Sequence, residues 1–374
     1  MNERADGQAA DATLAGRLRA RIEREGALTF RDWMQAALYD GQEGYYCRPD
    51  RQRWGRAGDY RTSAETSPLF AATFANYFAA LHKQLGSPKP FTILEAGAGA
   101  GDFAHGILDT LQSEQGAVFE ATRYVVDEAS ADARERARTR LKRFGDRVEF
   151  KNLARLNPST LEGVIFSNEL LDALPVHRVL MRGGALFELC VGLADGGGFK
   201  WVEREPTTAR LTEHFAVEHI SLAEGQIAEV NLAAEDWIER AASILRRGYV
   251  VTVDYGAESA ELYGATHRRE GTLRAFRSHR MTPDVLAQAG TQDLTTTVNW
   301  TQVRRAGERA HLRTVLFERQ DEFLLRAGLL DYLERMMNAL PDEASKLSLR
   351  LSAREMILPN GMSGSFQVLV QEKR

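Results

Sequence analysis

Two cysteines in 374 residues, Cys47 and Cys190, are too few for a disulfide framework, and neither belongs to a Cys-x-x-Cys pair that could hold zinc. The eight histidines show no His-Glu-x-x-His or other ligand spacing, so no metal is expected. No run approaches the roughly 18 apolar residues of a membrane span, so no membrane insertion is expected. Lys and Arg number 48 against 52 Asp and Glu, a net charge of −4, and the basic excess of a nucleic-acid binder is missing. The N-terminal stretch mixes Arg4, Arg17, Arg19, Arg21 and Arg24 with Glu3, Asp6, Asp11, Glu23 and Glu25. It has no apolar run, which fits neither a secretory signal nor an acid-poor transit peptide. A reducing, cytoplasmic and bacterial setting is expected.

What is present is a globular composition, 44% hydrophobic and 27% charged, able to bury a core. At roughly 150 residues per domain the length admits one large domain with insertions or two domains. Leu14, Leu18 and Ile22, then Phe30, Trp33, Met34, Ala37 and Leu38, recur at three- and four-residue spacing and predict two amphipathic helices separated at Gly26. A long polar and basic loop follows over 41–61, before a helix that begins near Ser67-Pro68.

The centre of the chain then alternates. Segments 91–95, 124–127, 148–150 and 163–166 read as strands, and 102–111 and 132–144 as helices, a pattern that predicts a mostly parallel sheet with helices on both faces. Residues 177–202 break it with short β-branched or aromatic segments punctuated by Gly183-Gly184 and Gly196-Gly197-Gly198, an inserted β element. A helix over about 233–245, a strand over 249–254, a late helical stretch over 320–337 and a strand over 366–370 complete the reading.

The sharpest local signal is Ile93-Leu94-Glu95-Ala96-Gly97-Ala98-Gly99-Ala100-Gly101-Asp102, a strand entering a glycine turn and then a helix. Glycine is needed where backbone takes positive φ or approaches a ligand closely, and the helix behind it offers free N–H groups. A phosphate loop would require Gly-Lys-Ser/Thr at its end, which Gly101-Asp102 excludes. A dinucleotide loop survives, because Gly99-Ala100-Gly101-Asp102-Phe103-Ala104 satisfies its permissive form. Glu95 before the turn and Asp102 after it place carboxylates where a pyrophosphate would be repelled. The ammonium of a methionine moiety would be attracted there, which favours S-adenosylmethionine over NAD. The acidic pair Asp127-Glu128 ending the next strand can accept from both ribose hydroxyls, in either cofactor. A turn that serves only packing also stays open.

The segment Ser167-Asn168-Glu169-Leu170-Leu171-Asp172-Ala173-Leu174-Pro175-Val176-His177 resembles the Asn-Glu-x-x-Asp-Ala-Leu-Pro-Val hallmark of the MidA family of S-adenosylmethionine-dependent methyltransferases. The mitochondrial members of that family act as assembly factors for respiratory complex I. Five further segments agree in order. They are Gly58-Asp59-Tyr60-Arg61-Thr62-Ser63 with Ser67-Pro68-Leu69-Phe70, the stretch from Glu95 to Gly101, Val253-Asp254-Tyr255-Gly256, Gly271-Thr272-Leu273-Arg274-Ala275 with His279, and Asp293 to Asn299. Tyr60 stands where Phe is usual. Glu128-Ala129-Ser130 through Arg134 matches the family's Glu-x-Ser-x-x-x-Arg, which puts the ribose contact on Glu128, with Asp127 behind it.

The resemblance implies a Rossmann-like class I core with an N-terminal helical region and α/β insertions. It places the cofactor at Glu95, Gly97, Ala98, Gly99, Gly101, Asp102, Glu128, Asn152, Leu153 and Asn168, with Thr62, Ser63 and Pro68 also assigned to cofactor binding. It implies an arginine acceptor in a protein resembling the catalytic subunit of an NADH dehydrogenase. A guanidinium stays protonated up to about pH 12, so it needs carboxylates to fix it and take a proton. Glu169 and Asp172 at i and i+3 would share a face if helical, and Asp59 is a third candidate. The Asn-Pro-Pro-Tyr of amide-nitrogen methyltransferases is absent from this position, which argues against a glutamine or adenine acceptor. The basic loop over 48–61 reads as a lid hinged at Thr62, Ser63 and Pro68, or as a solvated loop; His177 and His279 read as structural.

The expected organisation is N-terminal helices and lid loop over 1–85, the cofactor core over 86–180 and 226–256, and a β-rich insertion over 181–225. A substrate-recognition insertion over 257–310 and C-terminal helices with a closing strand over 311–374 follow. Two competing functions remain, a non-catalytic cofactor-binding assembly scaffold and an NAD-dependent oxidoreductase.

Overall fold

The computed structural model describes residues 13–48, 68–277, 280–358 and 362–374, and the chain divides into two compact units. One comprises Trp54–Leu170, Trp237–Gly256 and Arg304–Arg374, the other Met1–Arg53, Leu171–Asp236 and Ala257–Val303.

The first of these is the predicted α/β core. It begins with helix α1 (Pro68–Gln84), whose leading proline lacks an N–H that would have no partner there anyway. Strand β1 (Phe91–Ala96), helix α2 (Asp102–Glu114), strand β2 (Thr122–Asp127), helix α3 (Ala131–Leu141), and strands β3 (Val148–Phe150) and β4 (Leu161–Asn168) follow. Later come helix α4 (Leu232–Ile244) and strands β5 (Leu245–Ala257), β6 (Arg313–Arg319) and β7 (Phe366–Lys373). The strands of this unit lie in the order β6-β7-β5-β4-β1-β2-β3. β3, β2, β1, β4 and β5 are parallel, while β7 runs antiparallel between β5 and β6.

Strands buried on both faces read as continuous apolar runs, which is why the sequence shows them clearly. One face carries Phe91, Ile93, Tyr124, Val126, Val164, Phe166, Val251 and Val253 into the core with α1 and α2. Phe70, Phe74 and Phe78 recur along α1 and meet Phe103 and Phe166, whose rings stack with centroids 4.4 Å apart. Gly106 lets α2 approach α1 closely, since a Cβ there would lie 2.5 Å from that of Ala71.

The late helical stretch is two helices, Gln320–Arg326 and Leu329–Ala339, broken at Gly328, which takes φ 97°. A third helix, Glu343–Ile357, and strand β6 were not anticipated. β6 alternates charged and apolar residues weakly, Arg313-Thr314-Val315-Leu316-Phe317-Glu318-Arg319, and no turn residue sets it off.

The other unit holds helices Leu14–Glu25 and Phe30–Tyr39, each opened by a threonine side chain that accepts a backbone N–H (Thr13 from Gly16, Thr29 from Asp32). Its five-stranded antiparallel sheet is made of Leu28–Thr29, Ala185–Leu193, His177–Arg182, Ile227–Val230 and Phe199–Arg204. A small sheet of Arg280–Thr282, Arg274–Arg277 and Asp293–Thr295 accompanies it. Val179, Leu211, Phe215, Val230 and Leu262 form a core of its own. The N-terminal helices and the two expected insertions therefore belong to one body, and its boundaries, 171–236 and 257–303, differ from the 181–225 and 257–310 expected. The strands at 177–182 and 227–230 pair with each other, which draws the flanks of the β insertion into it.

Candidate functional site

Strand order reverses between β1 and β4: the chain moves outward through β2 and β3, then returns to the other side of β1. Ligands of open α/β sheets bind at the carboxyl ends of the strands at such a switch point. The registers place Ala96, Asp127, Ser167 and Thr252 in one row across β1, β2, β4 and β5, so the segments leaving these strands start at one level.

After β1 the backbone turns through Gly97, Gly99 and Gly101 at φ 71°, 54° and 80°, the left-handed region that glycine enters without cost. Packing fixes two of them further. A Cβ at Gly97 would lie 3.1 Å from the Leu170 side chain, and one at Gly101 the same distance from Ala137 on α3. The turn is already bonded internally. The Gly97 N–H donates to the Asp127 carbonyl at 2.8 Å, Gly101 N–H to the Ala98 carbonyl at 3.0 Å, and Gly99 N–H to the Glu128 carboxylate at 2.8 Å. A pyrophosphate needs those amides free, and here a carboxylate occupies one of them, which opposes the dinucleotide reading.

Glu128 accepts from Gly99 N–H with one oxygen and from Ser130 N–H with the other, at 2.7 Å. Arg134, the last residue of the Glu-x-Ser-x-x-x-Arg match, donates to the Glu128 and Ala129 carbonyls and fixes the same bend. Asp127 is engaged elsewhere. The Leu153 N–H bonds its carboxyl, and burial raises it to about 6. The structure thus separates the two acids, one holding the glycine turn and the other the segment after β3. Asn152 spends its Oδ1 on the Ala154 N–H, capping a single helical turn, and Leu153 is buried below it.

Glu95 is buried at the end of β1, and the Tyr124 hydroxyl donates to it at 2.7 Å. Burial pushes its carboxyl up to about 8, the Tyr124 bond lowers it, and the nearby Glu128 charge raises it. Asp102, by contrast, pairs with Arg140 of α3 at the half-exposed mouth of α2. Asn168 ends β4 with its Nδ2 donating to Glu169 at 3.2 Å and its buried Oδ1 without a partner. Glu169 takes φ 51°, an uncommon conformation for a residue with a side chain, while its N–H is held by the Val253 carbonyl at 2.9 Å.

The segment after β4 is not helical. Glu169 turns the chain into the left-handed region, so helical spacing does not bring Glu169 and Asp172 onto one face. Glu169 belongs to the α/β unit, whereas Asp172 is a buried residue of the other unit, its carbonyl accepting from the Thr296 N–H. His177 there bonds Glu188 at 2.7 Å, a structural partner for the histidine. Asp59, Thr62, Ser63 and His279, with most of the basic loop, lie outside the described residues; Pro68 is the first residue of α1. No metal-holding cluster of His, Cys, Asp or Glu exists among the described residues.

Sequence reasoning passed over Tyr124 and Arg140. The first carried a signal: a tyrosine inside an apolar strand run brings a hydroxyl that must find a partner when buried.

The residues fit S-adenosylmethionine. Three left-handed glycines form the cradle, an acid with spare lone pairs ends β2, and a buried, partnerless amide oxygen ends β4. The strand order and this edge define a Rossmann-like class I methyltransferase. Residues 73–317 match the model of a family described as S-adenosyl-L-methionine-dependent methyltransferases, and the chain belongs to that family. A crystal structure of a COG1565 superfamily member from Burkholderia thailandensis, bound to S-adenosyl-homocysteine, shares 30% identity and a TM-score of 0.86, covering 98% of this chain and 94% of that one. The protein arginine methyltransferase NDUFAF7 homolog of Drosophila melanogaster, labelled mitochondrial, is 26% identical over 88% of this chain and 78% of its own length. Human protein arginine methyltransferase NDUFAF7, also labelled mitochondrial, is 24% identical over 88% and 76%. The chain is a methyltransferase dependent on S-adenosylmethionine, and the NAD-dependent reading is set aside. No helix among the described residues is long and apolar enough to cross a membrane.

Glu128→Ala is expected to weaken S-adenosylhomocysteine binding at least tenfold, since charge-assisted bonds ordering both the turn and the bend are lost. Titration calorimetry reads it; an unchanged Kd would remove Glu128 from the site.

Proposed function

We propose that the protein transfers methyl groups to a guanidinium nitrogen of an arginine in a protein substrate. The observation that carries this is Glu169, an acid held in a left-handed backbone conformation at the end of the central strand β4, beside the open amide oxygen of Asn168. Strained backbone of this kind costs about 1–3 kcal/mol and persists where the surroundings enforce it. The names of the relatives in fly and human support an arginine acceptor.

On this reading Glu95, Gly97, Ala98, Gly99, Gly101 and Asp102 receive the amino-acid end of the cofactor and Glu128 the ribose. Asn152 and Leu153 flank the adenine, and Asn168 offers its Oδ1 as an acceptor. When bound, S-adenosylmethionine supplies an electrophilic sulfonium methyl, whose carbon–sulfur bond breaks as the nitrogen–carbon bond forms. Glu169 accepts hydrogen bonds from the guanidinium, orients one nitrogen and takes the proton that nitrogen loses. Bidentate carboxylate–guanidinium pairing supplies that geometry. Asp59 is the further acid proposed to assist, and 48–61 with Thr62, Ser63 and Pro68 is proposed as the lid. The substrate is proposed to resemble the catalytic subunit of an NADH dehydrogenase, 257–310 is proposed to recognise it, and the proposed compartment is the bacterial cytoplasm.

The test is incubation with methyl-labelled S-adenosylmethionine and the host's NADH dehydrogenase subunits, with the label located by mass spectrometry. Methylarginine on one subunit is the expected result. Label on another residue type would overturn the arginine acceptor, and bound cofactor with no transfer to any subunit would favour an assembly scaffold.

A further inference from the structure

Tyr124 is the buried polar group whose place the methyl-transfer chemistry leaves unexplained. It sits in β2 one strand away from Glu95 and is fully buried among apolar side chains. Its ring faces the same side of the sheet as Glu95, because Ile93 pairs with Tyr124 and Glu95 with Val126. The hydroxyl reaches diagonally across to the Glu95 Oε2 at 2.7 Å. A phenylalanine would fill the same core volume, so packing alone does not require this oxygen.

We propose that Tyr124 is a positioning residue: its hydroxyl holds the Glu95 carboxylate at the entrance of the glycine turn, oriented toward a positively charged amino group bound there. This rests on the placement of the amino-acid end of the cofactor at that turn, stated above. The ligand chemistry is that of an α-amino acid ammonium, common to S-adenosylmethionine and S-adenosylhomocysteine.

The surroundings of Glu95 make the pairing consequential. Tyr124 and Glu128 are the titratable groups that act on it. On α2, Asp102 is engaged by Arg140 and His105 lies against the Phe144 ring. α1 and α2 otherwise turn Phe70, Phe74, Phe103 and Ile107 into the core on this face. With no cation acting on it among the described residues, the carboxyl is held near 8 by burial, and an incoming ammonium favours its ionised form. Binding therefore releases a proton below that pH, and affinity rises with pH up to about 8, where the free protein is already ionised. Removing the Tyr124 bond takes away a hydrogen bond that stabilises the charged form, so the whole rise moves to higher pH.

The experiment is calorimetric titration of the full chain with S-adenosylhomocysteine from pH 6 to 9, for wild type, Tyr124→Phe and Glu95→Gln. Wild type is expected to bind more tightly as pH rises and to release close to one proton near pH 7, read from buffers of different ionisation enthalpy. Tyr124→Phe is expected to bind roughly tenfold more weakly at pH 7, with its profile displaced upward. Glu95→Gln is expected to bind weakly with a flat profile. A Tyr124→Phe protein with the wild-type affinity and profile would overturn the positioning role and leave the cofactor placement standing. A Glu95→Gln protein with wild-type affinity would instead overturn the placement itself. Should Tyr124→Phe fail to fold, Tyr124→Leu is carried through the same titration, and wild-type affinity and profile in that protein overturn the proposal.

Discussion

Glu169→Gln is expected to lower methyl transfer to arginine by roughly 10²- to 10⁴-fold, the range for removing a group that handles a proton in the transition state. The fold and the affinity for S-adenosylhomocysteine are expected to stay as in wild type. Glutamine is chosen over alanine because it keeps the side-chain length and the hydrogen bond from Asn168 Nδ2. Its cost in the left-handed region matches that of glutamate, so the backbone at φ 51° is asked nothing new. What disappears is the charge. A guanidinium stays protonated at any physiological pH, and a neutral amide can neither draw positive charge from the reacting nitrogen nor accept its proton. Single-turnover transfer from labelled cofactor separates this from a binding defect. Wild-type turnover in Glu169→Gln would remove the residue from the mechanism. A parallel loss of cofactor affinity would reassign it to the cofactor.

The sequence made the core legible where one physical rule dominated. Parallel strands buried on both faces appear as apolar runs, so 91–95, 124–127 and 163–166 lie inside the observed strands β1, β2 and β4. The glycine turn was legible because only glycine enters its backbone conformations cheaply. Individual acids were harder to read, since sequence shows which carboxylates are near a turn but not which have found partners. Asp102 stands one residue past the last glycine, yet Arg140 engages it, and Asp127 is tied to Leu153. The helical clamp of Glu169 and Asp172 rests on spacing alone, and the left-handed backbone of Glu169 breaks that spacing. Domain organisation was the least legible feature. Antiparallel pairing of 177–182 with 227–230 is a contact across some fifty residues, and no local pattern announces it.

Gly163→Ala is expected to destabilise the α/β unit by about 2–6 kcal/mol, combining about 1–3 for backbone strain with about 1–3 for overpacking. Gly163 opens the apolar run of β4 at φ 146°, where a side chain is disfavoured whatever the space around it. The space is also missing. A Cβ there would lie 2.8 Å from the Thr92 amide nitrogen, and closer still to the Thr92 carbonyl oxygen. These are backbone atoms of a central strand, held by pairing on both sides, and they cannot swing away as a flexible side chain would. Gly248 in β5 repeats the arrangement one strand over, at φ 140° against the Gly163 backbone. Thr92, Gly163 and Gly248 are register partners, so the three strands approach most closely along one row. Total stabilities of about 5–15 kcal/mol make such a loss visible as a fall in Tm of several degrees or more. Gly116→Ala is the control, since nothing lies within 4 Å of a Cβ at that position, and it is expected to leave Tm unchanged or slightly raised. The row of Ala96, Asp127, Ser167 and Thr252 lies along the same strands, so a shift of β4 against β1 moves Asn168 relative to the glycine turn. Where Gly163→Ala remains folded, S-adenosylhomocysteine affinity is therefore expected to fall together with Tm. A variant that melts and binds as wild type would show that the close approach of β1 and β4 does not set the geometry of the site.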